Sequence, residues 1–248
     1  MNRVRVFVSF GVSLLLICIL VLSLRVINNA IGFASLLGLE THPNELTDTI
    51  AVVVAVIIAW VYIDGRKLEA VGYSQWALLP YDFLSGFVVV LLSALIVAYV
   101  YKAGYHKIPE VASIVSGLFS GFLTGIREEL LFRRLAFENF SDLFGNRLVP
   151  PIALSSLAFG FWHSHSLLEV AVISFAGLIL VCAFISTRSL WFLVAFHMTW
   201  NGLTGKIIPV SEEDYLVVNF LVLLFAGLCS VIYYLARKQF SKRAIAQP

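Results

Sequence analysis

Charge is what this sequence has least of. Only 13% of its 248 residues are Asp, Glu, Lys or Arg, and 60% are hydrophobic. A soluble domain carries about 25% charged residues and about 45–50% apolar ones, so this composition excludes an ordinary water-soluble globule. The net charge of +2 is too small to argue for nucleic acid. Cysteine is scarce as well. Cys18, Cys182 and Cys229 each lie inside an apolar run without ligand-like spacing, so they read as lipid-facing or packed residues and say nothing about the redox compartment. There is no internal repeat, low-complexity tract, Gly-rich phosphate loop or soluble appendage. What remains is a series of long apolar stretches. The fold class they predict is all-α: a polytopic membrane protein forming a single domain over residues 1–248, with the lipid bilayer as its main partner and no nucleic acid.

The stretches resolve into about eight transmembrane helices. Residues 4–24 are too long for a signal-peptide core and lack a clear cleavage site, so they read as a retained first span. A loop over 25–45 follows, then spans at 46–63 and 83–101, separated by an interfacial segment with Trp76 and Pro80. A fourth span begins near Ile108 or Val111. The fifth covers 150–166, opened by Pro150-Pro151, and the rest cover 167–186, 190–205 and 215–236. With eight spans both termini share a side. Twelve of the 17 lysines and arginines then fall on that side and four on the other. The positive-inside rule makes the twelve-residue side cytoplasmic.

The fourth span ends in Arg127-Glu128-Glu129-Leu130-Leu131-Phe132-Arg133-Arg134. An ionised group near the bilayer centre costs about 2.5–3.5 kcal/mol on insertion scales, so keeping several there needs a reason. Glu129 and Arg133 are i,i+4 on a helix, acid first, which is the favourable order. Glu128 points about 100° away from Glu129. Elsewhere the strongly polar residues within spans are His163 and His165 in the fifth, and His197 and Asn201, another i,i+4 pair, in the seventh. If the fourth helix runs on through 135–140, Glu128 lies ~18 Å below the cytoplasmic end, His163 ~20 Å and His197 with Asn201 ~12–18 Å. The four can then meet at one level, in a polar site expected to open to the cytoplasm.

Glu128-Glu129-x-x-x-Arg133, Phe159-x-x-x-His163 and His197-x-x-x-Asn201 resemble, in order and interval, the three motifs of the CPBP intramembrane endopeptidases (CAAX protease and bacteriocin-processing, or Abi, family). The resemblance covers roughly residues 110–205. It departs at Arg134, where the family usually has Gly, and a bulkier residue there is expected to alter the loop without removing a catalytic group. The resemblance implies an intramembrane endopeptidase that hydrolyses a peptide bond near the cytosolic end of a membrane-bound peptide or lipopeptide. In eukaryotic relatives the substrate is a prenylated tail; bacterial ones are linked to bacteriocin processing or self-immunity. The compact chain leans towards a bacterial inner membrane.

By this reading Glu128 is the general base, His163 orients the water with it, and His197 and Asn201 donate to the oxyanion. Glu129 and Arg133 hold the helix and tune Glu128. That the first Glu of the pair is the base follows from the resemblance, since periodicity does not separate Glu128 from Glu129. A zinc site of Glu128, His163 and His197 is the alternative. The metal-free form is favoured, because H-E-x-x-H is lacking, Arg133 opposes a dication and Asn is a poor zinc ligand. Two other functions stay open: a non-catalytic immunity or scaffold protein, and an ion- or proton-coupled transporter. Arg127 reads as a snorkelling residue or a wall of the site. His165 faces away, and His42, His106 and Glu212-Glu213-Asp214 read as solvated.

Overall fold

A computed structural model of the chain describes residues 3–31, 43–63, 79–100, 110–163, 166–207 and 212–245. The fold is all-helical, and the described residues form eight rods. They are α1 (Arg3–Ile31); α2 (Pro43–Ile58), closing in a π-helical turn, Ala59–Ile63; α3 (Leu79–Val100); a composite rod; α6 (Val149–His163); α7 (Leu167–Thr187); α8 (Leu190–Ile207); and α9 (Glu212–Ile245). The composite rod is α4 (Val111–Glu129), a π-helical segment (Leu130–Phe137) and α5 (Glu138–Phe144) in unbroken succession. The fourth helix thus runs past Arg133, as the depth argument required. Two boundaries differ from the sequence reading. Arg25, expected in a loop, lies inside α1, and Glu212 begins a helix instead of belonging to a turn. Trp76, Pro80's preceding segment 64–78, His42, His106 and His165 lie outside the described residues.

Five rods, α1, α2, α3, α7 and α9, are long and apolar enough to cross a membrane. They present large apolar side chains outward, among them Leu22, Val26, Leu84 and Ile232, as a lipid-facing surface requires. The remaining three, α4, α6 and α8, are the rods that carry the charged and histidine residues. α8 is central: residues 192–200 are all buried, and the helix packs along both α4 and α3. α2 covers another side of α4, and α6 pairs with α7.

Small residues set the closeness of α8 to its neighbours. A Cβ on Gly121 would stand 2.6 Å from the Met198 carbonyl oxygen, and one on Gly202 2.6 Å from that of Gly117. Close backbone approach of this kind is how apolar helices associate where lipid is as apolar as leucine. The turns are local. Gly145, at φ 62°, ends α5. Arg188 takes the left-handed conformation at the end of α7, and the Ser189 hydroxyl accepts from the Phe192 N–H to start α8. Ser166 and Glu169 form a reciprocal capping box at the start of α7, which fixes the chain three residues beyond His163.

Gly121→Ala should lower the melting temperature in detergent. The obstructing atom is backbone, so helices must move apart at about 1–3 kcal/mol, more than the roughly 1 kcal/mol an Ala gains in helix propensity. Gly11→Ala, with nothing within 4 Å of the added Cβ, should not lower it. Equal melting for Gly121→Ala and the parent would show that the α4–α8 contact is loose.

Candidate active site

The adjacent carboxylates are fully withdrawn from the surface: Glu128 is 2% exposed and Glu129 0%. They meet different arginines, as the 100° offset between neighbours on a helix predicts, and share only His197. Arg133 Nε forms an ion pair with Glu129 Oε2 at 3.0 Å, and the His197 Nδ1–H donates to Oε1 at 2.9 Å. Glu128 receives Arg127 Nη2 at 3.2 Å on Oε1. Its other oxygen, Oε2, is met by Nε2 of both histidines, His163 at 3.0 Å and His197 at 3.4 Å.

Both rings are oriented from behind. His163 Nδ1 donates to the Phe159 carbonyl at 2.8 Å, one turn back on α6. His197 Nδ1 donates to Glu129. A carbonyl and a carboxylate offer no proton, so Nδ1 is the donor in each ring and Nε2 is the atom left for chemistry. The Phe159 ring, 1% exposed, lies 4.5 Å from the His163 ring and 6.0 Å from His197. It packs against both imidazoles. This gives the Phe159-x-x-x-His163 pattern a physical meaning: one residue supplies the carbonyl and the aromatic wall that its partner four residues on requires.

The π segment holds the pair of arginines. Arg133 and Arg134 are both 0% exposed. The Arg133 guanidinium lies 4.8 Å from the Phe159 ring centroid, and that of Arg134 lies 4.5 Å from Trp60, with Glu138 at 3.8 Å. Aromatic faces suit the weakly hydrated guanidinium where water is excluded. Side chains support the wider turn: the Ser155 hydroxyl donates to the Phe132 carbonyl at 2.9 Å, and the Asn139 amide to Leu135 at 2.7 Å. π-helical turns concentrate at functional sites. Arg134 therefore alters no loop, contrary to expectation. It is a packed residue of a continuous rod.

Of the six residues singled out from sequence, five (Glu128, Glu129, Arg133, His163 and His197) form one contact network. Asn201 is exposed, one turn beyond His197. Two residues were missed. Asp48 of α2, 8% exposed, stands 4.0 Å from Arg127 Nη1, and Arg25 of α1 donates its Nε to Asp48 at 2.8 Å. A chain of alternating charges thus runs from α1 to Glu128. The signal for it was an acid and a base interrupting two apolar runs, the pattern that marked the fourth span. Arg127 is a member of this chain rather than a snorkelling residue.

The fold and this cluster define a polytopic membrane protein with an intramembrane carboxylate–histidine centre. Residues 110–203 are similar to the family described as type II CAAX prenyl endopeptidase Rce1-like, in keeping with the CPBP motifs. The matched stretch contains all three motifs and stops short of Asp48 and Arg25. No curated protein and no solved structure matches the chain.

Arg133→Ala should reduce folded protein as well as activity, because it leaves Glu129 buried with only His197 to offset it, at about 3–5 kcal/mol. Glu128→Gln should fold and melt as the parent does. Equal thermal stability of Arg133→Ala and parent in detergent would remove the structural role assigned to the pair.

Proposed function

We propose that the protein is an intramembrane endopeptidase acting on a membrane-associated or lipidated peptide, with Glu128 as general base and no metal in the reaction. The observation that carries this reading is the convergence of His163 Nε2 and His197 Nε2 on Glu128 Oε2, with both Nδ1 atoms occupied behind. Three groups free to handle protons share one point. A water bound beside the Glu128–His163 contact would lose a proton to the carboxylate as its oxygen attacks the scissile carbonyl carbon. The resulting oxyanion would accept from Nε2–H of His197, with that ring protonated on both nitrogens, and from the Asn201 amide, which lies one turn further along α8. Glu128 would return the proton to the amine as the C–N bond breaks. Glu129 would keep the His197 ring in place, and Arg133 would balance the charge of Glu129.

A zinc ion held by the same three side chains is the alternative. Their Nδ1 atoms are backed as metal-bound imidazoles usually are. Against that, Arg127 lies on the other oxygen of Glu128 and Arg133 on Glu129, so two guanidiniums stand beside the place a dication would take. Among the described residues no three His, Cys, Asp or Glu side chains stand in metal-binding geometry. The two guanidiniums favour the metal-free form. The bilayer is proposed to be a bacterial inner membrane, with both termini cytoplasmic.

Purified protein should cleave a quenched lipopeptide, and Glu128→Gln should lower turnover about 10²–10⁴-fold, the range for a general base. Prolonged strong chelation should leave the parent rate unchanged. Stoichiometric zinc, whose removal abolishes cleavage and whose return restores it, would overturn the metal-free mechanism. Proton flux into liposomes without cleavage would overturn the protease reading.

A further inference from the structure

Arg127 and Glu128 are chain neighbours, and neighbours on a helix do not face each other. The Arg127 guanidinium nonetheless rests on Glu128 Oε1, with Nη2 at 3.2 Å. The Arg127 side chain is 20% exposed against 3% for Glu128, so a long arm with a route to the surface is instead bent back onto the acid beside it. Its Nε makes no hydrogen bond among the described residues. Besides Glu128 it meets Asp48 of α2, which stands 4.0 Å from Nη1. Two carboxylates, one on its own helix and one on another, bracket the guanidinium.

Asp48 is fixed independently of Arg127. Arg25 of α1 grips both of its oxygens, Nε on Oδ1 at 2.8 Å and Nη2 on Oδ2. This planar two-point contact sets the orientation of a carboxylate as well as balancing its charge. The next residue, Thr49, is buried, and its hydroxyl is shared between the Glu45 carbonyl at 2.7 Å and the Leu123 carbonyl of α4 at 3.1 Å. Leu123 stands one turn before Arg127, so α2 is registered on α4 where Asp48 comes beside the guanidinium. Asp48 Oδ2 receives both Arg25 Nη2 and Arg127 Nη1. Without its charge those two cations would repel, and nothing on α2 would hold Arg127 against Glu128.

The consequence at the centre is geometric. A carboxylate is planar, so holding Oε1 of Glu128 fixes where Oε2 points. Oε2 is the oxygen on which Nε2 of His163 and of His197 converge.

We infer that Asp48, held by Arg25, is a positioning residue for the centre: it keeps Arg127 on Glu128 Oε1 and so aims Oε2 at the two histidines. The reaction being positioned is taken from the proteolytic reading, whereas the linkage itself does not depend on it. Asp48 and Arg25 lie upstream of residues 110–203, so α1 and α2 contribute to the site and are more than its wall.

A double-substitution cycle separates positioning from a purely structural role. Asp48→Asn, Arg127→Gln and the two together are compared with the parent in detergent. With the quenched lipopeptide, Asp48→Asn should lower kcat at least about tenfold and leave KM within about twofold, since displacing a catalytic group by about 1 Å costs about 10²-fold in rate. Asp48→Glu, which keeps the charge, should recover most of the rate. In the Arg127→Gln background Asp48→Asn should change the rate by less than about twofold, because the residue it acts through is gone. A second readout needs no turnover. The nitrogen NMR resonance of His163 Nε2, assigned by its loss in His163→Gln, should move in Asp48→Asn and move no further when Asp48→Asn is added to Arg127→Gln. If Asp48→Asn does not fold, Arg25→Gln takes its place with the same expectations, its side chain being 47% exposed. An equal loss of rate in both backgrounds, or an unmoved His163 resonance, would make Asp48 a structural residue and overturn the inference. The expected resonance shifts without cleavage by the parent would uphold the linkage and refute proteolysis instead.

Discussion

Two neighbouring carboxylates with almost no surface can persist only if each is neutralised on its own side of the helix. Glu129 does this through Arg133 and His197, and Glu128 through Arg127, His163 and His197. His197 is common to both sets, so the acids are coupled through one ring on a different helix. Removing any partner leaves charge in a region of low dielectric, where an unpaired ion costs several kcal/mol. Much of the bundle can be understood as the support this arrangement needs. α8 must come close enough for its ring to reach both acids, which the glycines of α4 and α8 permit. The rod carrying the acids must widen to admit Arg133 and Arg134, which the π segment does. α6 must end where its last residue meets Glu128.

That division of labour explains why the chain looks as it does. The rods that qualify as membrane spans by length and apolarity form much of the outer wall. The three that do not are short or polar because they hold the cluster, and they are tolerated because the others shield them. An intramembrane ionisable residue is expensive unless it faces the bundle interior and finds a partner. Here nearly every such residue on α4 does both. Arg134 has Trp60 and Glu138 although its position departs from the family pattern, so the substitution is absorbed by packing and leaves the carboxylate–histidine contacts intact.

The eight rods were legible because a run of some twenty apolar residues has one physical reading in a membrane. The five-residue network was legible because i,i+4 spacing places side chains on one face, and three such pairs in sequence restrict how helices can meet. What the sequence did not disclose were features set by tertiary contact. The π-helical register after Glu129 depends on Ser155 from another helix and on aromatic faces that no local pattern specifies. Asp48 and Arg25 each look like an isolated charge until α1 and α2 are brought against Arg127. Glu128, His163 and His197 meet as the helix registers required, while Asn201 stands exposed one turn beyond them.

Burial surrounds Glu128 along both helices that hold it. The residues from Glu129 to Phe137 and from Phe192 to Trp200 are all buried, and because His197 meets Glu128, the second run extends to either side of the carboxylate. The partly open groups are Arg127 and His163 beside it and Asn201 one turn beyond His197. A water or a peptide entering through the buried runs would have to displace the Glu129–Arg133 pair on which the acids depend, whereas an approach past Arg127 and His163 meets groups already in partial contact with the surface. The interaction that keeps the carboxylates buried therefore also restricts how they can be reached.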